Sequence, residues 1–160
     1  MGIWVGRRRG LLASALVLVF GTVLSGCTVW PAASLSVDDA KREAIAFLEQ
    51  TVGQEAHVAW PVTPDPIATR CAGGDGVRFQ YLVVASTKKG SHLAESLGTY
   101  WTSAGFEVVR SQEDFGEHGV LYSATARADE KPWGSYEISR SGINLYIDSR
   151  CAAGDVRNFE

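Results

Sequence analysis

Residues 135–150 read SYEISRSGINLYIDSR, and their alternation decides the fold. Tyr136, Ile138, Leu145 and Ile147 share one parity, while Glu137, Ser139, Asn144, Tyr146 and Asp148 share the other. Successive strand side chains point to opposite faces, so 135–140 and 143–150 read as two strands with one apolar face. Ser141-Gly142 between them reads as a two-residue hairpin loop. That loop pairs Arg140 with Ile143, Ile138 with Leu145 and Tyr136 with Ile147. Cys151 continues the apolar parity and is expected to be buried there.

The same period runs through residues 77–86, where Val77, Phe79, Tyr81, Val83 and Ala85 alternate with Arg78, Gln80, Leu82 and Val84. The second set is partly apolar, which suits a central strand. Residues 106–111 and 120–128 read as two further strands. Between them 112–119 is an acidic loop, and 129–134 is a turn around Pro132 and Trp133. Two stretches follow the helical period instead. Val37, Ala40, Ala44, Leu48 and Val52 form one stripe with Phe47 beside it, opened by a Ser36 cap on the Asp39 amide and closed at Gly53. Leu93, Leu97, Tyr100, Trp101 and Ala104 line the second helix, with Ser91 as its expected cap and Gly105 as its end. Pro61, Pro64 and Pro66 exclude helix and central strand from the irregular 56–76 segment. Helix, strand, helix and a run of strands make an α+β fold. The expected architecture is a two-layer sandwich, with a mostly antiparallel sheet and two helices on one face.

The N-terminus is of another kind. Arg7, Arg8 and Arg9 precede an uncharged apolar run from Leu11 to Val23, too short for a span of roughly 20 residues. Leu24-Ser25-Gly26-Cys27 follows and resembles the lipobox of bacterial lipoproteins. The resemblance implies a signal peptide over 1–26 and a diacylglyceryl group on Cys27. It also implies residence on the extracytoplasmic face of the cell membrane. Arg8-Arg9-Gly10-Leu11-Leu12 also resembles a twin-arginine export signal, though plain secretory signals share the pattern. Residues 27–36 would then be a lipidated tether, 37–151 a single domain and 152–160 a frayed tail.

Processing changes the charge. The chain carries 15 Lys+Arg and 18 Asp+Glu, and three of the arginines lie before Cys27. The remaining 134 residues hold 12 basic against 18 acidic side chains, which argues against a nucleic-acid partner. A polybasic hold on anionic lipid is equally disfavoured, so the two acyl chains would supply the attachment. With Cys27 assigned to lipid, Cys71 and Cys151 are left as a pair in an oxidising compartment, and a disulfide between them is expected.

No pattern of catalytic residues stands out. The glycine cluster Gly73, Gly74, Gly76 leads into a strand rather than a helix, which fits a turn and not a phosphate cradle. There is no G-x-S-x-G elbow. Glu113, Asp114, Glu117 and His118 lack metal-site spacings and read as a charged loop tip, so no metal and no cofactor is assigned. What remains is the second face of the sheet. By parity it carries Arg78, Gln80, Leu82, Val84, Val109, Leu121, Arg127, Asn144 and Tyr146, a mixture of basic, aromatic and apolar groups that suits a partner or ligand. A solvated face, partly covered by the proline-rich segment and Trp60, is the plainer alternative. Over 60–151 the chain also looks like small lipoproteins of high-GC Gram-positive bacteria, on its glycine-rich loop, Tyr100-Trp101 and Gly142–Ile147. That likeness implies no substrate. The expectation is a non-catalytic domain binding an envelope protein or ligand. A small lipid-anchored hydrolase and an accessory subunit of a membrane complex are the alternatives.

Overall fold

A computed structural model of the chain describes residues 34–159. In chain order its elements are α1 (Val37–Gly53), β1 (Ile67–Arg70), β2 (Val77–Ala85), α2 (Gly90–Ser103), β3 (Glu107–Asp114), β4 (Val120–Arg127), β5 (Trp133–Ile138) and β6 (Ile143–Asp148). Short 3-10 turns at Gly116–His118 and Val156–Phe159 complete it. The expected signal peptide and Cys27 lie outside the described residues. No helix among those described is long and apolar enough to cross a membrane.

All six strands form one antiparallel sheet in the order β1-β2-β6-β5-β4-β3. Strands β3 to β6 make a meander, and β6 then docks beside β2. Strands β2 and β3 therefore point the same way from separated positions, and α2 crosses the sheet to join them. Phe79, Tyr81, Val83, Tyr136, Ile138, Ile143, Leu145 and Ile147 are all buried on the inner face, where α1 packs on β2 and β6 and α2 on β3 and β4. The fold is the expected α+β sandwich with both helices on one side.

The hairpin faces are as read, but its register is not. Ile138 pairs with Ile143 and Tyr136 with Leu145, so the loop spans four residues, 139–142. The Ser139 amide donates to the Gly142 carbonyl at 2.9 Å and closes it. A shift of two residues leaves every side chain on its own face, because the strand period is two. Gly142 is required by β2: a Cβ there would run into the Ala85 carbonyl.

Helix α1 starts as expected, with Ser36 Oγ accepting from the Asp39 amide at 3.1 Å and Asp38 and Asp39 in the first turn. Its buried stripe includes Thr51, whose Oγ1 accepts from Trp101 Nε1 at 3.1 Å. Helix α2 starts at Gly90 without a side-chain cap, so Ser91 lies inside the first turn and does not cap it. Phe47 stacks on Phe106 at 4.6 Å, and the Trp101 ring lies 5.4 Å from Tyr136. Gly134 provides the slot for this cluster: a Cβ there would sit 2.9 Å from Trp101 and 3.2 Å from Phe47.

Several boundaries differ from the sequence reading. Strand β1 follows Pro66 directly, inside the stretch read as irregular, and forms one edge of the sheet. Strand β3 runs on to Asp114 through residues read as loop, and β5 begins at Trp133, read as turn. The tail is not frayed. Ala152 bridges to Val77, the Ala153 amide donates to Leu35 at 3.1 Å, and Phe159 meets Phe79 edge-on at 5.2 Å. Leu35 thereby belongs to the domain rather than to a free tether.

Cys71 and Cys151 are bonded, with Cα atoms 6.0 Å apart and a sequence separation of 80. Cys71 is buried but Cys151 is exposed, against expectation. The reason is a bulge. Ser149 exchanges hydrogen bonds with Phe79, and Ala152 exchanges them with Val77, so two residues face the single Arg78. The extra residue reverses the alternation and turns Cys151 outward. Ser149 Oγ takes the Phe79 amide at 3.0 Å where the ladder is broken.

Candidate functional site

The face of the sheet away from the helices has no covering layer among the described residues. Antiparallel registers place its side chains in rows. Gln80, Asp148 and Trp133 form one row; Leu82, Tyr146, Ser135, Thr125 and Val109 form the next; Val84, Asn144, Glu137, Ser123 and Ser111 form the third. Each strand contributes one residue per row because pairing fixes neighbours at the same height.

The first row is an electrostatic cluster. Asp148 is largely enclosed and accepts from Gln80 Nε2 at 3.2 Å, and Arg78 Nε approaches it at 3.3 Å. Arg78 also reaches Thr69 Oγ1 on β1 at 3.4 Å, which ties the edge strand to the cluster. The Arg78 and Arg127 guanidiniums lie 5.7 and 5.0 Å from the Trp133 ring centre, within cation–π range. Trp133 keeps 41% of its surface exposed. The Arg78 charge is partly spent on Asp148, whereas Arg127, opposite Glu107 across the ladder, contacts Trp133 and has no carboxylate within ion-pair distance among the described residues. This end of the face therefore offers a cation and an aromatic plane together.

The second row is more apolar. Val109 is 62% exposed and Leu82 is also open, with Tyr146 beside Leu82 as its cross-strand partner. Val109, Ser123, Thr125, Ser135, Glu137 and Tyr146 help line a shallow groove of about 400 Å³. In the third row, Val84 is 57% exposed beside Asn144, and a smaller recess of about 240 Å³ runs from there to Leu121 and the 139–142 loop. Serine, threonine and asparagine groups between apolar side chains can fix the orientation of a bound surface without contributing reactive groups.

The fold is similar to that of a DUF4853 family protein from Actinomyces odontolyticus. The TM-score against that crystal structure is 0.58 at 17% identity, covering 77% of this chain and 72% of the other. The likeness concerns the fold alone. It agrees with the expected resemblance to proteins of high-GC Gram-positive bacteria and carries no substrate. No family model matches the chain, and no curated protein matches it in sequence.

The structure gathers the expected face residues unevenly. Arg78, Gln80 and Arg127 meet around Trp133 and Asp148; Leu82 and Tyr146 are paired; Asn144 stands one row further along. Trp133 is the functional candidate the sequence did not supply, because Pro132 placed it in a turn. Trp60 does not cover this face. It packs against the core, and its Nε1 donates to the Glu55 carbonyl at 3.1 Å.

A second grouping lies with the helices. No metal ligand is assigned from sequence, yet Glu55, His57 and His92 each bring one ligand atom within 4.8 Å of the others. The His118 side chain lies beside the exposed Glu117, at 3.8 Å, and belongs to a different loop.

Proposed function

We propose that the chain is a lipid-anchored extracytoplasmic domain whose open sheet face binds a partner protein or envelope ligand without catalysis. Cys27 carries the diacylglyceryl anchor, and the acidic domain stays near the membrane because the segment before Leu35 is short. The observation that supports the binding reading is Trp133, half-exposed under Arg78 and Arg127 and continuous with Leu82, Tyr146 and Val109. Aromatic and arginine side chains concentrated in a patch that also exposes aliphatic surface are the usual composition of an energetic centre of recognition. An acidic or carbonyl-rich group is the natural match for the Arg127 end, with an apolar contact for the Val109 end.

A photoreactive phenylalanine analogue at Val109, in the full chain in its membrane, tests the face. One defined adduct is expected from Val109 and none from the same probe at the exposed Glu49 on α1. Trp133→Ala and Arg127→Ala should each remove the adduct while leaving the protein folded. Identical adducts from both probe positions would reject the face as a site. The anchor has its own test: Cys27→Ala should lose metabolic lipid label and leave the membrane fraction, and retention of both would reject lipidation.

A further inference from the structure

We propose that Glu55, His57 and His92 form a binding site for one divalent transition ion of the zinc class. The site is on the helical layer and is independent of the open sheet face.

Glu55 lies just past the end of α1, in a tightly tied turn. Its amide donates to Val52, and its carbonyl accepts from the Val58 amide and from Trp60 Nε1. The residue is only 2% exposed. His57 Nδ1 approaches its Oε2 at 3.2 Å. Burying a carboxylate is costly unless a charge or a set of donors meets it. The half-exposed His57 imidazole meets it from one side, and a divalent ion would meet it with a full charge.

His92 completes the arrangement from the first turn of α2. Its ring stands edge-on to that of His57, with centroids 6.2 Å apart. A tetrahedral zinc with bonds of about 2.0–2.1 Å spaces its ligand atoms roughly 3.3 Å apart. The three ligand atoms lie within 4.8 Å of one another, so they need to close by at most about 1.5 Å, which rotation of two exposed imidazoles supplies while Glu55 stays fixed. Two imidazoles and one carboxylate suit zinc, copper or nickel, whereas calcium and magnesium require mostly oxygen ligands. Three protein ligands leave a fourth position open to water or to a group on another molecule. Beyond His92 lies a surface groove of about 440 Å³, lined by Gln54, Glu95, Thr99 and Tyr100. A bound ion would also fasten the exit of α1 to the start of α2, two segments 35 residues apart in sequence between His57 and His92.

The test uses Zn²⁺ with the full chain purified in detergent and carrying no polyhistidine tag. Titration against a chromophoric chelator should show one saturable equivalent, with a rise of several degrees in Tm. Co²⁺ should give visible absorption bands of low-symmetry coordination. His57→Asn and His92→Asn lie at exposed positions and should fold normally, yet weaken binding by at least about tenfold, the lower range for even an outer ligand shell. Glu55→Gln should do the same, and His118→Asn should leave binding unchanged. Absence of saturable uptake by the unaltered chain would overturn the proposal, as would undiminished uptake by the His57→Asn/His92→Asn double variant.

Discussion

Removing the Cys71–Cys151 bridge should be the largest single change this domain can survive. The bond closes 80 residues of chain, from the turn after β1 to the bulge after β6, and so encloses both central strands and α2. In the chain-entropy account a loop of that length limits the unfolded ensemble by about 4–5 kcal/mol. An unfolding entropy of about 2.1 cal/mol/K per residue, over a domain of about 126 residues, converts this to a fall of roughly 15–20 °C in Tm. Cys71 is buried and Cys151 exposed, so alanine adds a small packing loss at 71 and none at 151. Reduced protein and the Cys71→Ala/Cys151→Ala variant should therefore agree within about 1 kcal/mol.

Urea unfolding distinguishes the entropic account from a merely local effect. An unbridged unfolded chain is more expanded and exposes more surface, so m should rise as the midpoint falls. Hydrogen exchange should show β1 and the 152–159 tail opening first, since the bridge and the Val77–Ala152 pairing hold them together. A loss below about 1 kcal/mol with m unchanged would refute the reasoning, because the bridge would then constrain nothing that the fold does not already constrain.

Gly134→Ala should cost about 1–3 kcal/mol by thermal unfolding, since its Cβ meets Trp101 and Phe47 at the centre of the core. Unchanged stability would mean that the aromatic slot has slack. Tyr136 is buried and its hydroxyl donates to the Ala94 carbonyl at 2.8 Å. Burial raises its phenol pKa above 10.0, with Arg110 opposing in part. The folded state thus prefers the neutral phenol, a contribution complete below about pH 10 and lost as pH rises through the folded-state pKa. Tyr136→Phe should cost about 1 kcal/mol at neutral pH and flatten the alkaline fall in stability. Some slope should remain, because burial also raises Tyr81 and Tyr100. An alkaline limb identical to that of the unaltered protein would exclude Tyr136 as a contributor.

Parity survives errors that register does not, and this explains which parts of the fold the sequence discloses. The 135–150 hairpin is two residues out of register in the sequence reading, yet every face assignment holds. The outer residues Arg78, Gln80, Leu82, Arg127, Asn144 and Tyr146 are therefore found on the right side of the sheet. Edges are harder to read. Strand β3 is exposed on both faces for most of its length, so no alternation marks Gln112, Glu113 and Asp114 as strand. Strand β1 has four residues directly after a proline, too few for a period to register. Pairing Cys71 with Cys151 needs only a count of cysteines, and Glu55 and His57 are near neighbours in sequence, whereas bringing His92 to them depends on how two helices pack. Nothing local around His92 records that approach.

The bulge after β6 has a consequence beyond exposing Cys151. If the strand alternation continued past Ser149, Arg150 would join Arg78 and Arg127 on the open face. The extra residue turns it away, and Arg150 Nη1 lies 3.4 Å from Glu43 on α1. Asp148, the last residue before the break, keeps its outward direction and holds Arg78 and Gln80. The open face thus has Arg127 as the cation not engaged by Asp148, with Trp133 beside it, rather than three arginines around a single carboxylate. Three clustered guanidiniums would favour any polyanion through charge alone, whereas one cation on an aromatic plane requires a shaped partner. Adding a third arginine to this face tests this: in Ile67→Arg, at the exposed β1 position opposite Gln80, binding to unrelated acidic polymers should rise as salt falls. Unchanged polymer binding by the folded Ile67→Arg variant would mean that the number of arginines does not set the selectivity of the face, and that the bulge only positions the disulfide.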